Sequence, residues 1–490
     1  MLFNSYQFIF AFLPFTFFVY FYLNSKRLTE AAKALLVFTS LFFYSWWNIA
    51  YLPIILASIL FNYIVGLSLS KKSEHAKISK KSILIFGIIA NVALLGYFKY
   101  ADFLIDNINL ITDGKLPLLH LVLPLAISFF TFQQIAYLVD SYRGETKEYD
   151  FLNYANFVTF FPQLIAGPIV HHAEMMPQFA KSKNKIKNYR NIAMGLFIFF
   201  IGLFKKVVIA DTFAIWAKAG FDTSTTLNLF EAWATSLSYT FQLYFDFSGY
   251  TDMAIGAALL FNIKLPINFN SPYKATSIQD FWRRWHITLS RFLRDYIYIP
   301  LGGNKKGRFR TFYNLMVTFL IGGIWHGAGW TFIFWGFLHG LALVIQKLWD
   351  QLGIKLPTVV SWFITFNFVN IAWVFFRAKN WDDAMKVLDG MFGLTGIALP
   401  GALHSKLAFL DSYGVTFGQW MMQMGIGGDG GAKAIIWNTG GFIMVLLFKN
   451  SIELLHGFRF SIRDLLFIFL CSFIAIISIN RYSDFLYFNF

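Results

Sequence analysis

One cysteine, Cys471, is present among the 490 residues, and this scarcity excludes a disulfide framework and a metal site built from cysteine thiolates. Cys471 lies inside an apolar run, where a free cysteine packs as a small hydrophobic side chain. Charged residues are scarce as well, at 14%, whereas 57% of the residues are hydrophobic. One soluble core cannot enclose so many apolar side chains, so the composition predicts a protein that crosses a membrane several times.

The charges that are present are mostly positive, with 41 lysine and arginine residues against 26 acidic ones and a net charge of +15. Such an excess is also typical of nucleic-acid-binding proteins. Here, however, the basic residues fall in short loops between apolar runs, which is the distribution that orients membrane helices. We therefore expect membrane lipid around this protein and no nucleic-acid partner.

The basic loops also predict an orientation. Lys26 and Arg27 follow the first apolar run and a lysine cluster follows the third, so both loops are predicted to be cytoplasmic. No positively charged segment precedes the first run, which we interpret as a retained span and not as a cleaved signal peptide. Because Arg459 and Arg463 precede the last run, both termini are predicted to lie outside the cytoplasm.

Apolar stretches close to the ~20 residues that a bilayer requires recur along the chain. They cover residues 6–23, 34–49, 51–70, 83–98, 120–140, 311–325, 330–349, 433–448 and 463–480. The longer stretch 229–262 carries Asp246 and Asp252 among apolar and small residues. A further apolar segment, residues 156–172, is interrupted by Pro162, Gly167 and Pro168, which predicts a re-entrant segment with a broken helix. This pattern predicts an all-α polytopic membrane protein.

Several ionisable residues stand at membrane depth, where each needs a partner or a function. Lys205 and Lys206 interrupt an apolar run, and they either extend to the interface or attract the phosphates of an anionic cosubstrate. Asp246 lies among apolar and small residues, and we interpret it as a helix-locking partner for a buried arginine. His171 and His172 follow the re-entrant segment, where a loop or helix-capping role is expected.

The stretch over residues 280–340 concentrates polar chemistry within the hydrophobic sequence, and three of the nine histidines lie in it. Helical spacing of aromatic residues predicts one amphipathic helix over residues 280–295. Asp280 and Arg284 form an opposite-charge pair one turn apart on that helix. His286 lies on the border of its apolar and basic faces.

The other two histidines of the stretch lie in apolar segments. His326 stands beside Gly327 and Gly329, which allow the backbone to turn and leave His326 at a break in the helix. That position suits a general base. His339 lies within the next apolar segment, where a buried imidazole needs a partner.

These residues carry a resemblance to a known family. The motifs are WRRWH (282–286), YIPLGGNKKG (298–307), WHGAGW (325–330) and FWGFLHG (334–340), with PQLIAGP (162–168), LYFDFSGYTDMAIG (243–256), INFNSPY (267–273) and WVFFRA (373–378). Together they resemble the membrane-bound O-acyltransferases, in the bacterial branch that is similar to alginate O-acetyltransferase and the membrane subunit of peptidoglycan O-acetyltransferase.

The resemblance implies an architecture and a set of functional residues. It implies about ten to twelve spans, with re-entrant and amphipathic helices, around a central cavity in one domain over residues 1–490. That domain divides into N-terminal spans (1–119), a catalytic core (120–350), C-terminal spans (351–480) and an extracytoplasmic tail (481–490). His326 matches the catalytic histidine of the family and is the expected base. His286 matches a second functional histidine, so it is also expected to be catalytic, as the orienter of His326 or as a second proton-transfer group. His339 matches a recurring position. Supporting roles are expected for His339, Asp246, Lys205 and Lys206.

The implied reaction is acetyl transfer from cytoplasmic acetyl-CoA across the bacterial inner membrane to an extracytoplasmic polysaccharide. We expect no permanently bound cofactor and no metal. A separate extracytoplasmic O-acetyltransferase of the SGNH type is the expected partner, because the sequence contains no soluble domain for the final transfer. The sequence does not identify the polysaccharide, the partner or the oligomeric state.

The tail contains the pattern Phe485-x-Tyr487-x-x-Phe490. It resembles the acyl-carrying motif of the small membrane subunit in the teichoic-acid D-alanylation system, which implies Tyr487 as an acyl acceptor. An aromatic anchor at the membrane interface is the alternative.

Two other functions remain open from the sequence. D-alanyl transfer to teichoic acid is one, because that branch shares the WRRWH motif. A proton-coupled transporter is the other, but it predicts internal repeats, which the sequence lacks. The motifs PLGGNKKG and WHGAGW favour the acetyl branch.

Overall fold

The structure is a computed structural model that describes residues 1–70, 78–146, 150–418, 420–421, 430–479 and 486. Most of the described residues are helical, and the all-α polytopic class predicted from the sequence is confirmed. The chain forms two compact units. The first contains Met1–Leu203, Tyr250–Asn268 and Leu455–Ile479, and the second contains Phe204–Gly249, Phe269–Leu454 and Asn480–Phe490. The prediction of one integral membrane domain stays a prediction.

The α-helices follow one another along the chain with short connections. They are α1 (Leu13–Ser25), α2 (Thr29–Ser45), α3 (Leu52–Ser70), α4 (Lys80–Thr112), α5 (Ile127–Arg143), α6 (Phe151–Thr159), α7 (Phe161–Leu164), α8 (His172–Ala180), α9 (Tyr189–Phe204), α10 (Asp211–Lys218), α11 (Leu229–Leu260), α12 (Ile278–Arg284), α13 (Ile287–Leu293), α14 (Arg308–His326), α15 (Trp330–Gln351), α16 (Thr358–Arg377), α17 (Trp381–Met391), α18 (His404–Leu407), α19 (Gly430–Leu447), α20 (Ser451–Gly457) and α21 (Ile462–Ser478).

Shorter helical turns and one small sheet complete the described structure. Wider, π-helical turns cover Gln7–Phe12, Lys205–Ala210, Ala219–Thr223 and Arg294–Tyr298, and tighter, 3₁₀ turns cover Ile49–Tyr51, Ser182–Lys185, Pro272–Lys274, Gly401–Leu403 and Ala408–Tyr413. The strands β1 (Ile397–Leu399) and β2 (Val415–Phe417) pair in parallel, with Ala398 opposite Thr416. Neither strand contains a residue that the sequence predicts to be functional.

Six helical segments within the described residues are long and apolar enough to cross a membrane. They are Gln7–Ser25, Ile49–Ser70, Lys80–Thr112, Tyr189–Thr223, Trp330–Gln351 and Thr358–Arg377. The bent pair Gly431–Leu447 and Ser451–Gly457 gives a seventh if it counts as one span. Neither Tyr189–Thr223 nor Thr358–Arg377 was among the spans expected from the sequence, while the implied total of ten to twelve stays a prediction.

The predicted break in the apolar segment 156–172 is present. Helix α6 ends at Thr159, α7 covers one turn, and the backbone then runs without regular structure to the start of α8. All residues from 160 to 170 are buried. A side chain at Gly167 would overlap with the backbone of Gln163, so the chain can fold back tightly here because this residue has no Cβ.

Local sequence explains where the helices next to the functional residues begin and end. The Ser277 hydroxyl accepts a hydrogen bond from the backbone N–H of Asp280 at 3.1 Å and caps the start of α12. Helix α5 ends where Gly144 adopts a left-handed conformation with φ 76°.

Candidate active site

Helices α14 and α15 approach each other closely in the second unit. A Cβ atom at Gly323 would overlap with the carbonyl oxygen of Phe332 and lie 3.1 Å from the Cα of Gly336. A Cβ atom at Gly336 would overlap in the same way with the carbonyl oxygen of Phe319. The two glycines therefore allow a backbone-to-backbone contact that larger residues would prevent. This contact sets the spacing of the two histidines that the helices carry.

His326 is the last residue of α14 and is buried. Gly327 and Gly329 continue in extended conformations, and α15 begins at Trp330, so His326 stands at the predicted break. Its ring centroid lies 4.9 Å from that of Trp325, the residue before it. The aromatic packing holds the imidazole in an environment with little access to water.

His339 lies on α15 and is fully buried. The indole Nε1 of Trp282 donates a hydrogen bond of 3.2 Å to its Nδ1. An imidazole nitrogen that accepts a hydrogen bond carries no proton, so the neutral ring has its proton on Nε2. The Trp282 bond thus selects one tautomer and orients the ring.

His286 stands where the predicted amphipathic helix is broken. The prediction of a single helix over residues 280–295 is wrong, because α12 ends at Arg284 and α13 begins at Ile287. Between them His286 adopts a left-handed conformation with φ 42° and ψ 54°, which is rare for a residue with a side chain. The predicted pair of Asp280 and Arg284 is present at 2.9 Å.

Burial makes His286 a neutral group. The residue is 0% exposed, and burial lowers its pKa from 6.5 to about 3, since the charged imidazolium loses its hydration. Its ring centroid lies 4.8 Å from that of Phe247. A base this weak remains unprotonated near neutral pH.

Two tryptophans connect the three histidines. The Trp325 ring lies 6.3 Å from that of His286 and 4.9 Å from that of His326. The Trp335 ring lies 5.1 Å from that of His326 and 4.7 Å from that of His339. The structure therefore brings together the three histidines that the sequence singles out, as one buried aromatic cluster in the second unit.

A cleft of about 630 Å³ lies near this cluster, between residues of α15 and α16 and the start of α12. Its lining is mainly apolar and includes Gln346 and Lys355. Phe368 lines the cleft, and its ring lies 5.4 Å from that of His339. The cleft therefore reaches within one aromatic ring of the histidine cluster.

Lys206 and two carboxylates form a buried charged group, also in the second unit. The Lys206 Nζ lies 2.6 Å from the Asp246 Oδ1 and 2.9 Å from the Asp211 Oδ1. Lys206 therefore does not extend to the interface, and the partner of Asp246 is this lysine and not the expected arginine. Lys205 is buried too, with its Nζ 5.6 Å from the ring centroid of Tyr244.

The tail reaches the same charged group. The backbone N–H of Leu486 donates a hydrogen bond of 3.1 Å to the Asp246 Oδ2. Tyr487, the predicted acyl acceptor, and its neighbours Phe485 and Phe490 lie outside the described residues. A single tail residue is thus tied to the carboxylate that Lys206 neutralises.

Some contacts of the site have no signal in the sequence. The bond from Trp282 to His339 joins two helices, and Trp335 and Trp373 pack at 5.6 Å beside them. Helical spacing marks these residues only as core. His171 occupies the N-cap position of α8, which agrees with the expected loop or capping role, although its side chain makes no capping hydrogen bond.

Comparisons with known proteins point in one direction. The family model of the membrane-bound O-acyltransferases matches residues 140–381. The peptidoglycan O-acetyltransferase of Helicobacter pylori is 57% identical over 441 residues, which are 84% of this chain and 83% of that protein. The probable alginate O-acetylase of Pseudomonas aeruginosa is 42% identical over 80% of this chain and 75% of that protein. The teichoic acid D-alanyltransferase of Streptococcus thermophilus is 28% identical over 51% of this chain and 68% of that protein.

Proposed function

Because this chain belongs to the membrane-bound O-acyltransferase family, we propose that it moves acetyl groups from cytoplasmic acetyl-CoA across the bacterial inner membrane for O-acetylation of an extracytoplasmic polysaccharide. The observation that carries the proposal is the buried cluster of His286, His326 and His339 in the motifs that the family shares. The relatives with 57% and 42% identity are named as O-acetylating proteins of peptidoglycan and alginate, whereas the teichoic acid D-alanyltransferase is only 28% identical. This difference in identity supports acetyl transfer over D-alanyl transfer.

His326 is the proposed general base. It removes the proton of the acceptor hydroxyl while the hydroxyl oxygen forms a bond to the carbonyl carbon of the thioester. The tetrahedral intermediate then collapses, the carbon–sulfur bond breaks, and coenzyme A leaves as a thiol with the proton that His326 returns. The aromatic rings around His326 limit access of water, which would otherwise compete as the acceptor.

The other residues of the cluster have positioning roles in this proposal. His286, neutral because of its low pKa, orients the reacting groups and does not carry the proton. His339 is held in one tautomer by Trp282 and stabilises Trp335, the ring that it shares with His326. Lys206 and Asp246 support the site as a buried ion pair, in which the carboxylate of Asp246 compensates the charge of the lysine.

The final transfer requires a separate protein. We propose an extracytoplasmic O-acetyltransferase of the SGNH type as the partner that passes the acetyl group to the polysaccharide. The proposal places both termini of this chain outside the cytoplasm and the acetyl-CoA site on the cytoplasmic side. Peptidoglycan is the first acceptor to test, because the relative with 57% identity is named a peptidoglycan O-acetyltransferase.

The test replaces His326 by alanine. We expect about a 10²- to 10⁴-fold loss of acetyl transfer with normal insertion, because a positioned general base contributes this much to the rate. The measurement is the acetyl content of cell-surface glycans, together with consumption of labelled acetyl-CoA by the purified protein. His404→Ala is a matched control, because His404 is exposed and pairs with Asp411.

Two outcomes would contradict the proposal. Near-normal acetylation by a well-expressed His326→Ala protein would remove His326 as the base. Consumption of another thioester, such as a D-alanyl carrier, without consumption of acetyl-CoA would remove the acetyl donor.

Tyr487 is the proposed first acceptor of the acetyl group. Phenols ionise near pH ~10, so the hydroxyl needs a base such as His326. The resulting phenyl ester is more reactive than an alkyl ester, which suits a further transfer to a partner hydroxyl. The bond from Leu486 to Asp246 places the residue next to Tyr487 against the buried charged group.

Tyr487→Phe distinguishes an acyl-accepting tyrosine from an aromatic anchor at the membrane interface. The variant keeps the aromatic ring and removes only the hydroxyl. We expect loss of glycan acetylation and loss of an acetyl adduct on the tail, which mass spectrometry detects when the partner is absent. Normal acetylation by Tyr487→Phe, or the absence of an adduct on Tyr487 in the unmodified protein, would leave the tyrosine as an anchor only.

A further inference from the structure

Asp140, His171 and His172 form a compact cluster in the first unit. Asp140 lies in the last turn of α5, and the two histidines lie at the start of α8. The Asp140 Oδ2 lies 3.3 Å from the His171 Nδ1 and 3.2 Å from the His172 Nδ1. One ligand atom from each of the three residues lies within 4.8 Å of the other two. Three metal-binding side chains, one carboxylate and two imidazoles, thus converge on one point.

Two of the three side chains of this cluster are almost fully buried, which is unusual for ionisable groups. The side chains of Asp140 and His172 are each 1% exposed, and that of His171 is 23% exposed. Among the residues that the structure describes, neither ring nitrogen of His172 has a hydrogen-bond partner. The His172 Nδ1 is near the Asp140 carboxylate but is not aligned for a hydrogen bond with it. Buried polar atoms of this kind require a partner, and an ion between the nitrogen and the oxygen supplies one.

The sequence led us to expect no metal, but on this geometry we propose that Asp140, His171 and His172 bind a divalent transition-metal ion of the zinc type. Ligand atoms about 2.1 Å from such an ion are separated by roughly 3.0–3.4 Å in tetrahedral or octahedral geometry. Both distances from the Asp140 Oδ2 fall in this range. Two imidazoles and one carboxylate select zinc, iron or cobalt over calcium and magnesium, which prefer oxygen ligands alone.

The surroundings of the cluster fit a bound cation. The Arg143 Nη1 lies 3.7 Å from the Asp140 Oδ1, the oxygen that the histidines do not face. Arg143 thus holds the carboxylate from its outer side and leaves Oδ2 directed at the two imidazoles. With three protein ligands, the ion keeps a position for one further ligand.

The proposed ion joins two sections that are distant in the sequence. It ties the end of α5 to the residues that directly follow the buried, irregular segment from 160 to 170. Because a metal that binds only the folded state stabilises it, the ion secures the point where this segment returns to a helix. This inference does not depend on the proposed acetyl transfer.

Metal binding to the full-length protein in detergent tests the proposal. The protein is purified through a tag without histidine, stripped with a chelator, and titrated with Zn²⁺ alone and with Co²⁺ alone. We expect one equivalent of Zn²⁺ per chain by elemental analysis, a higher melting temperature with Zn²⁺, and Co²⁺ absorption bands typical of mixed nitrogen and oxygen ligands.

Variants locate the ion. Asp140→Asn and His172→Ala should each lower the Zn²⁺ affinity by about 100-fold or more, because each removes one of three ligands. His404→Ala should bind as the unmodified protein does, since it removes the exposed histidine of the pair with Asp411. Size-exclusion profiles show whether each variant is folded.

Two results would overturn the proposal. The first is stripped, unmodified protein that binds clearly less than one equivalent of Zn²⁺, which requires no variant to fold. The second is binding that Asp140→Asn and His172→Ala leave unchanged, which would assign the ion to another location.

Discussion

At the scale of single residues, His286 combines a strained backbone with complete burial. Its left-handed conformation costs on the order of 1–3 kcal/mol for a residue with a Cβ atom. The surrounding rings of Phe247 and Trp325 therefore supply the packing that holds it. Such a cost is typical of positions where a side chain must point in one direction, which agrees with the proposed orienting role.

The low pKa of His286 predicts a pH dependence of stability. The folded state favours the neutral imidazole, so this contribution is complete above pH 6.5 and is lost as the pH falls from 6.5 toward 3. Each pH unit in that window corresponds to about 1.4 kcal/mol, so lowering the pH from 6.5 to 5 costs about 2 kcal/mol. His286→Gln removes this dependence, because glutamine does not titrate.

Thermal unfolding in detergent at several pH values measures the effect. The stability difference between the unmodified protein and His286→Gln should shrink by about 2 kcal/mol between pH 6.5 and pH 5. Parallel pH profiles for His286→Gln and the unmodified protein would show that burial does not shift the titration of this group.

At the scale of structural elements, the contact of α14 with α15 determines the site. Both helices carry a histidine of the cluster, and Gly323 and Gly336 are the residues that bring their backbones together. Trp335 is held one residue before Gly336 and packs on His326. Separation of the two helices would therefore move His326 and its packing partner apart.

Gly323→Ala tests this dependence. The added methyl group meets the carbonyl oxygen of Phe332, which cannot move without moving α15. We expect a loss of stability of about 1–3 kcal/mol and a roughly 100-fold loss of acetyl transfer, because small displacements of reacting groups are costly. Melting temperature and glycan acetylation are the measurements.

Gly440→Ala is the matched control for this change. Gly440 lies inside α19, and a Cβ atom there would meet open space, so alanine should raise stability slightly through its higher helix propensity. Equal behaviour of Gly323→Ala and Gly440→Ala would mean that the close contact of α14 and α15 does not position the site.

At the scale of the whole molecule, the proposed reaction requires a fixed orientation in the membrane. The donor is cytoplasmic and the acceptor is extracytoplasmic, so each loop must face one side only. The basic loop before α9 contains Lys181, Lys183, Lys185 and Lys187, while the short turn before α3 begins at Ile49 and carries no charge. The first is predicted to be cytoplasmic and the second external.

Single cysteines test the orientation. In a Cys471→Ala background, which has no other cysteine, Lys183→Cys should react with a membrane-impermeant maleimide only in inverted vesicles. Ile49→Cys should react only in right-side-out vesicles. Lys183 and Ile49 are both exposed, so accessibility does not limit either reaction. Labelling with the sides reversed would contradict the proposed path of the acetyl group.

Much of the site could be predicted from the sequence, because its signals are local. Membrane spans are predicted from apolar runs close to the ~20 residues that a bilayer requires. The glycines beside His326 predict a helix break at that residue, and this prediction needs no other part of the chain. The motifs around His286, His326 and His339 carried the family resemblance, which the comparisons confirm. Membrane class, family and the histidines of the cluster were therefore determined by sequence alone.

The tertiary structure decided the features that depend on partners distant in the chain. The helical spacing of aromatic residues in the sequence continues through Trp285 and His286. In the structure the helix is interrupted at these two residues, and the His286 ring packs against Phe247 and Trp325. Lys206 and Asp246 each lacked a visible partner in the sequence, and the fold paired them at 2.6 Å. Asp140 meets His171 and His172 for the same reason. Periodicity reports which face of a helix is apolar, whereas only the packing of helices determines which buried charge meets which.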